Sequence, residues 1–340
     1  MPVKKYKIND NDNNYLYKRR DDKMNKKIAL IISITLIAII GIFSIGMKKQ
    51  KDTDSNSKST TKISVTDANG EKVELNKNPK RVVVFDYGVA DILKNLDVDI
   101  VGLPKSGTLP EILSVYADDK YTNVGALKEP DFEAVEALNP DLIIIGGRQA
   151  EQIDSFKEIA PTVYLEVDGQ NYMDSFSAVA TDIGNIFDKQ DEVKKALNEI
   201  EKKVSDLKKE VSKKGVSASV VMANEGGVSL FSQASRYGII YSDLGFKQLD
   251  KNIEESTHGQ QITFEYFLEN NSDYVFVVDR GAVTGKGESA KTLFDNEIMN
   301  KTDVAKNDKI VYLDSVVWYT MTGGIESTNI MIDEIAKAIK

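Results

Sequence analysis

The chain has 340 residues, 41% of them hydrophobic, and a formal net charge of -9, so it can build two ordinary-sized domains and is unsuited to nonspecific nucleic-acid binding. It contains no Cys, which excludes disulfides, thiolate metal sites and a Cys nucleophile. With a single His, His258, it lacks the parts for a catalytic triad or a metal hydrolase centre.

Residues 1–27 are polar and basic, with KKYK, YKRR and MNKK, and read as a cytoplasmic tail. The 18 residues 28–45 are almost wholly apolar, broken only by Ser33, Thr35, Gly41 and Ser44, and just span a bilayer as a helix. The basic residues before them predict an N-terminus held inside and a chain exported outward, although KKQK after the run weakens the asymmetry. Two readings stay open: a retained transmembrane anchor over 28–46, or a signal segment cleaved near Ser44-Ile45-Gly46, with Met24 as an alternative start. Residues 47–62, containing KDTDSNSKSTTK, read as a flexible linker.

Residues 63–75, ISVTDANGEKVEL, predict a β-hairpin turning at Asn69-Gly70. Strands follow at 82–85 and 99–103 around a helix at 89–96, then a polar loop at 115–125. Residues 132–148, FEAVEALNPDLIIIGGR, form a unit with a later echo at 264–280, FEYFLENNSDYVFVVDR. Aligned, Phe132 meets Phe264, Glu133 meets Glu265, Asn139 meets Asn271, Asp141 meets Asp273 and Arg148 meets Arg280. One long offset means two copies of a unit, hence two similar α/β lobes, each with an Arg where a strand ends. Ligands of open α/β sheets bind beyond the carboxyl ends of the strands, so the paired arginines predict an anionic ligand between the lobes.

A short strand at 162–166 precedes helices at 171–187 and 190–213. The second carries Val193, Leu197, Ile200, Val204, Leu207 and Val211 at three- or four-residue steps. It reads as a strut crossing between lobes, roughly 36 Å long, or else as a surface helix of one lobe. Gly215 ends it; a strand at 217–223 opens the second lobe. Arg236 lies on a loop entering a helix, 256–263 is a loop, and 309–313 is a late strand. VVWYTMTGG at 316–324 reads as a loop with exposed aromatics, and 327–339 as a terminal helix.

Lysine dominates the cations; arginine occurs only at Arg19, Arg20, Arg81, Arg148, Arg236 and Arg280. Arg148, Arg236 and Arg280 all close or enter loops, where a planar fork suits carboxylate, phosphate or catecholate oxygens; the plainer reading pairs each with a local acid. His258 and Tyr319 offer an imidazole and a phenolate that together can complete a ferric shell, or serve as ordinary hydrogen-bonding and packing residues. Glu133 and Glu265 read either as helix-start acids or as paired docking points, one per lobe. GAVTGKG at 281–287 is one residue short of a phosphate loop and lacks a Ser/Thr after Lys286.

Five segments, NPKRVVVFDYG (78–88), VGALKEPDFEAVEALNPDLIIIGGRQ (124–149), SRYGIIYSDLGF (235–246), STHGQQITFEYF (256–267) and NSDYVFVVDRG (271–281), resemble the siderophore-binding proteins of ABC iron importers, the periplasmic-type class with a long interlobe helix. The likeness is to the subgroup that binds ferric catecholates, including petrobactin-like and bis-catecholate complexes, and spans 63–340. It implies catecholate contacts at Arg148, Arg236 and Arg280, iron ligation by His258 and Tyr319, and permease docking through Glu133 and Glu265; Trp318, next to Tyr319, reads as a further ligand contact or as part of a packing lid. Gram-positive relatives in this family are usually lipoproteins; here Ser-Ile-Gly is followed by Met47, so anchoring falls to the apolar helix.

The expectation is therefore an α/β protein with two Rossmann-like lobes (63–186 and 215–340) joined by an interlobe helix (187–214) and preceded by a transmembrane segment. It is a monomeric receptor facing outward from the cell membrane, without catalysis or a cofactor of its own, carrying ferric iron only inside its siderophore to an ABC permease. Haem or corrinoid binding, a membrane-anchored sensor, and an enzyme acting on a metal-bound substrate are the rival expectations.

Overall fold

The computed structural model describes residues 61–256 and 258–340. The basic tail, the expected membrane segment at 28–46 and nearly all of the linker lie outside these residues; within them no helix is long and apolar enough to cross a membrane.

The chain enters through β1 (Lys62–Thr66) and β2 (Lys72–Asn76), paired antiparallel with Val65 opposite Val73. Asp67 Oδ1 accepts the N–H groups of Asn69 and Glu71, and Gly70 takes φ +80°, so the turn forms where the sequence placed it. The first lobe then runs β3 (Val82–Val84), α1 (Tyr87–Asn95), β4 (Gly102–Leu103), β5 (Thr122–Asn123), α2 (Phe132–Ala137), β6 (Leu142–Ile145), α3 (Ile153–Ile159), β7 (Thr162–Tyr164) and α4 (Tyr172–Ile186). Its sheet is parallel in the order β5-β4-β3-β6-β7. Helices cover both faces, and every residue of β3 and β6 is therefore buried. The strand order reverses between β3 and β6, the place where such sheets open a crevice. The expected loop at 115–125 contains β5, a two-residue edge strand.

α5 (Gln190–Lys214) buries the six residues its spacing singled out, Val193 through Val211. Asp191 and Glu192 sit in its first turn and Lys213 and Lys214 in its last, each complementing the helix dipole. Gly215 closes it at φ +67°. α5 packs on α4, and farther along its Lys208 Nζ donates to Ser242 O of the second lobe at 2.8 Å. Ile200 is fully buried in its middle, so Ile200→Ala is expected to cost about 2–4 kcal/mol of unfolding free energy by urea titration.

The second lobe follows as β8 (Ala218–Asn224), β9 (Gly227–Phe231), α6 (Ile239–Ser242), β10 (Gln260–Ile262), α7 (Tyr266–Glu269), β11 (Tyr274–Asp279), α8 (Arg280–Thr284), α9 (Ala290–Phe294), α10 (Asp303–Lys306), β12 (Ile310–Tyr312), α11 (Ser315–Thr320) and α12 (Ile325–Ala338). Its sheet runs β10-β9-β8-β11-β12, with β9 antiparallel to β8 through a two-residue turn, Glu225-Gly226, at φ +48° and +83°. The duplication reaches into the hydrogen bonds. Asp141 accepts the backbone N–H groups of Lys80 and Arg81 just before β3, and Asp273 accepts the backbone N–H and the hydroxyl of Ser217 just before β8.

One apolar core runs through both lobes, joining Val84 and Ile144 to Ile200, Val220, Met222, Met331 and Ile332. The last helix, α12, packs on α1 and α5. At that contact Asp91 of α1 is fully buried, its Oδ2 accepting Ser327 N at 2.8 Å and its Oδ1 accepting Asn95 Nδ2 at 2.7 Å. Burial lifts its carboxyl from 3.8 to about 6, against the Ser327 bonds and Lys94, with Glu326 pushing the same way as burial. Tyr116 and Tyr172 are the other titratable groups facing it. The folded pKa lies above the unfolded one, so this contribution to stability is full below about pH 4 and is lost as pH rises through about 6. Relative to Asp91→Asn, the wild-type protein is expected to gain roughly 2–3 kcal/mol between pH 7.5 and 4.5, measured by urea unfolding at each pH.

Candidate functional site

The reversal point of the first sheet presents Asp86, one residue before α1, and Gly146-Gly147-Arg148, just after β6. Asp86 caps α1, accepting Val89 N at 3.0 Å. A Cβ on Gly146 would lie 2.4 Å from Asp86 Oδ2, so glycine here leaves the Asp86 carboxylate its place. Buried Gln149 accepts Gly146 N and donates to Leu127 O, fixing the loop that aims Arg148. The guanidinium turns across to the second lobe, where Nη2 donates to Tyr319 O at 2.8 Å.

Arg236 arrives from a different direction. Its loop is pinned by Ser235 Oγ to Ser232 O and rests against the 3-10 turn Gly169–Asn171 of the first lobe. Its Nη2 also donates to Tyr319 O, at 3.2 Å, and its Nε is buried without a partner. Arg280 opens α8, whose cap is Asp279; Nε donates to Tyr319 Oη at 3.0 Å and Nη1 to Asn224 Oδ1 at the end of β8. The three guanidinium carbons lie 5.8, 4.9 and 5.9 Å from the centre of the Tyr319 ring. The plainer reading, each Arg paired with a local acid, does not hold: all eight ion pairs among the described residues are made by lysine.

The charges gathered in this half-buried junction act on Arg148 and on the phenol between them. Burial, helped by Arg236, lowers the Arg148 pKa, while Asp86 opposes the fall. For Tyr319, burial favours the neutral phenol, but the Arg280 hydrogen bond and the charges of Arg280, Arg236 and Arg148 outweigh it, and the pKa falls. Asp86 is shifted up, chiefly by burial, despite the Val89 N–H and Arg148. Beside it the Tyr164 hydroxyl donates to Glu166, an exposed carboxylate next to Gly147. The arrangement can therefore grip an anion with three forks, offer it an acidified phenol, and face it with two carboxylates on the first-lobe wall.

Trp318 requires a correction. The expected loop at 316–324 is helical over α11, and adjacent residues of a helix point about 100° apart. Tyr319 faces the arginines, whereas Trp318 is fully buried and its indole N–H donates to Glu334 Oε2 at 2.7 Å, so it is a core side chain rather than a ligand contact. His258 is exposed in a turn before β10, its backbone N–H donating to Ser256 Oγ at 3.2 Å; among the described residues no hydrogen bond joins it to Tyr319. Nor do the described residues contain a cluster of three or more His, Asp or Glu able to hold a metal. Glu133 is exposed in the first turn of α2, and Glu265 is exposed at the start of α7, where Thr263 holds its carboxyl below the ordinary range. Asn224, Asp86, Glu166 and Tyr164 escaped the sequence reading, though Asp86 carried a signal: an acid between a buried strand and a helix. A groove of about 380 Å³ along α4 and α5, lined by Thr181, Val193 and Leu197 among others, shares no residue with the arginine cluster.

A family model for periplasmic binding proteins matches residues 82–317. The petrobactin-binding protein YclQ of Bacillus subtilis is 44% identical over 322 residues, 93% of this chain and 99% of that protein. The ferric-anguibactin-binding protein FatB of Vibrio anguillarum is 33% identical over 269 residues, 77% of this chain and 83% of that protein. The crystal structure of YclQ superposes with a TM-score of 0.80, covering 82% of this chain and 99% of that one.

Proposed function

This chain belongs to the periplasmic binding protein family, whose members bind substrates rather than transform them, and from that premise we propose that it captures a ferric catecholate siderophore and delivers it to an ABC permease for iron uptake. The observation that carries the proposal is the convergence of Arg148, Arg236 and Arg280 on one point from both lobes, with no carboxylate among the described residues paired to any of them. A ferric catecholate is an anion, and a buried anion is tolerated only when fixed cations replace its hydration. The net charge of -9 does not oppose this, because the ligand meets the local field of the junction.

The iron is cargo. Tyr319, its phenol already acidified, supplies an oxygen to an open iron position, and His258 supplies a nitrogen after its exposed loop folds inward. Glu133 and Glu265, exposed and one per lobe, meet basic residues of the permease. The apolar run at 28–46 holds the receptor at the outer face of the membrane, and the shared core keeps relative lobe motion small.

The test is a titration of the purified protein with ferric and iron-free bis-catecholate, followed by quenching of the single tryptophan, Trp318. The ferric complex is expected to bind at least about 100-fold more tightly, since the iron-free ligand carries neutral phenols. Equal affinities, or no binding of the ferric complex, would sink the proposal.

A further inference from the structure

We infer that Asp91 is a positioning residue for ligand binding: reaching over from the first lobe, it fixes the segment that presents Tyr319 to the arginines. This rests on the ferric-catecholate reading above. α12 begins at Gly324 with no capping side chain of its own. Asp91 supplies the cap from another helix, its Oδ2 accepting the N–H of Ser327 at 2.8 Å, where the unpaired donors and positive end of α12 favour a carboxylate. Gly324 makes room for it, since a Cβ there would fall 2.1 Å from Asp91 Oδ2.

From that bond the fixation runs back toward the site. Ser327 Oγ donates to Met321 O at 2.7 Å, two residues beyond Tyr319. Tyr172 of α4 accepts Gly323 N at 2.9 Å and shares a 2.8 Å hydrogen bond with Thr328. Lys94 of α1 pairs with Glu326 at 2.7 Å. Residues 321–328 thus follow the second-lobe sheet in sequence but are bolted to the first lobe. Tyr319 lies in α11, which packs on α8 and β11 of the second lobe, and residues 323–328 just beyond it are the ones held to the first lobe. The Asp91 bond therefore sets the register between Tyr319 and the first-lobe guanidinium, Arg148, whose Nη2 donates to Tyr319 O.

The test is a double-mutant cycle on affinity for a ferric bis-catecholate, using Asp91→Asn, Tyr319→Phe and the pair. If Asp91 acts through Tyr319, each single variant loses about tenfold and the double variant loses no more than about tenfold. A multiplicative loss near 100-fold overturns the inference, because the two residues then act independently. A second readout needs no ligand. Trp318 adjoins Tyr319 in α11, and its acrylamide quenching should rise at least about twofold in Asp91→Asn if the segment loosens, whereas unchanged quenching counts against it. Should the wild-type protein fail to bind the ferric complex, the reading beneath the inference falls, and the Trp318 measurement alone then decides whether Asp91 holds the segment. If Asp91→Asn does not fold, Ser327→Ala, which removes the bond to Met321 O, is expected to give the same coupling with Tyr319→Phe, and its absence overturns the inference.

Discussion

Arg236→Ala is expected to weaken binding of a ferric bis-catecholate about 100-fold while leaving the urea midpoint almost unchanged. The asymmetry follows from how little the fold uses this side chain. Its one conventional hydrogen bond is long, 3.2 Å to Tyr319 O, and its buried Nε has no partner. A ligand oxygen can take both, and two charge-assisted hydrogen bonds of about 1.5 kcal/mol each give roughly 3 kcal/mol, or about 100-fold. Arg236→Lys keeps the charge and loses the fork, so it should recover about tenfold of that loss. Arg81 provides the contrast. Its guanidinium binds Leu138 O and Asn139 O at the end of α2, so Arg81→Ala should lower stability without touching affinity. Unchanged affinity in Arg236→Ala would remove the arginine mechanism.

That contrast also marks what the sequence could reveal. Arg148 and Arg280 were locatable because each follows a continuous apolar strand in a repeated unit, and the carboxyl ends of such strands are where sheets bind ligands. Arg236 has no repeat partner, and its place depends on a contact between lobes that no local pattern encodes. The α5 stripe was fully legible because six apolar residues at helical spacing have one way to be buried. α11 was not. Val316, Val317, Trp318 and Tyr319 are poor helix formers, and the turn is set instead by Asp314, whose Oδ1 accepts Val316 N and Val317 N. Misreading that turn as a loop is what misplaced Trp318. β5 and β10 hide for a different reason: they are short edge strands with no buried face to pattern them. The duplicated aspartates are the reverse case, since Asp141 and Asp273 align in sequence and make equivalent bonds in space.

The contact that places Arg236 predicts the second large effect, from Gly169→Ala. A Cβ on Gly169 would sit 2.4 Å from Arg236 Cα and 2.7 Å from Ser235 O, both backbone atoms that cannot rotate aside. Gly238 faces it from the other lobe, its own Cβ position 2.4 Å from Gly169 O, so neither side of the contact has slack. The methyl must push the Arg236 loop outward or open the junction, and overpacking of this kind costs about 1–3 kcal/mol. Because the displaced loop carries Arg236, the proposed ligand contact, affinity for the ferric complex should fall about tenfold or more in the same variant. Gly226→Ala separates the two consequences. Gly226 lies in the β8–β9 turn at φ +83° with no atom near its Cβ position, so the substitution costs about 1 kcal/mol of backbone strain and leaves affinity intact. If Gly169→Ala lowered stability but bound the ferric complex like the wild-type protein, the Arg236 loop would not be positioned by the first lobe, and the junction would be a structural seam rather than the base of the binding site.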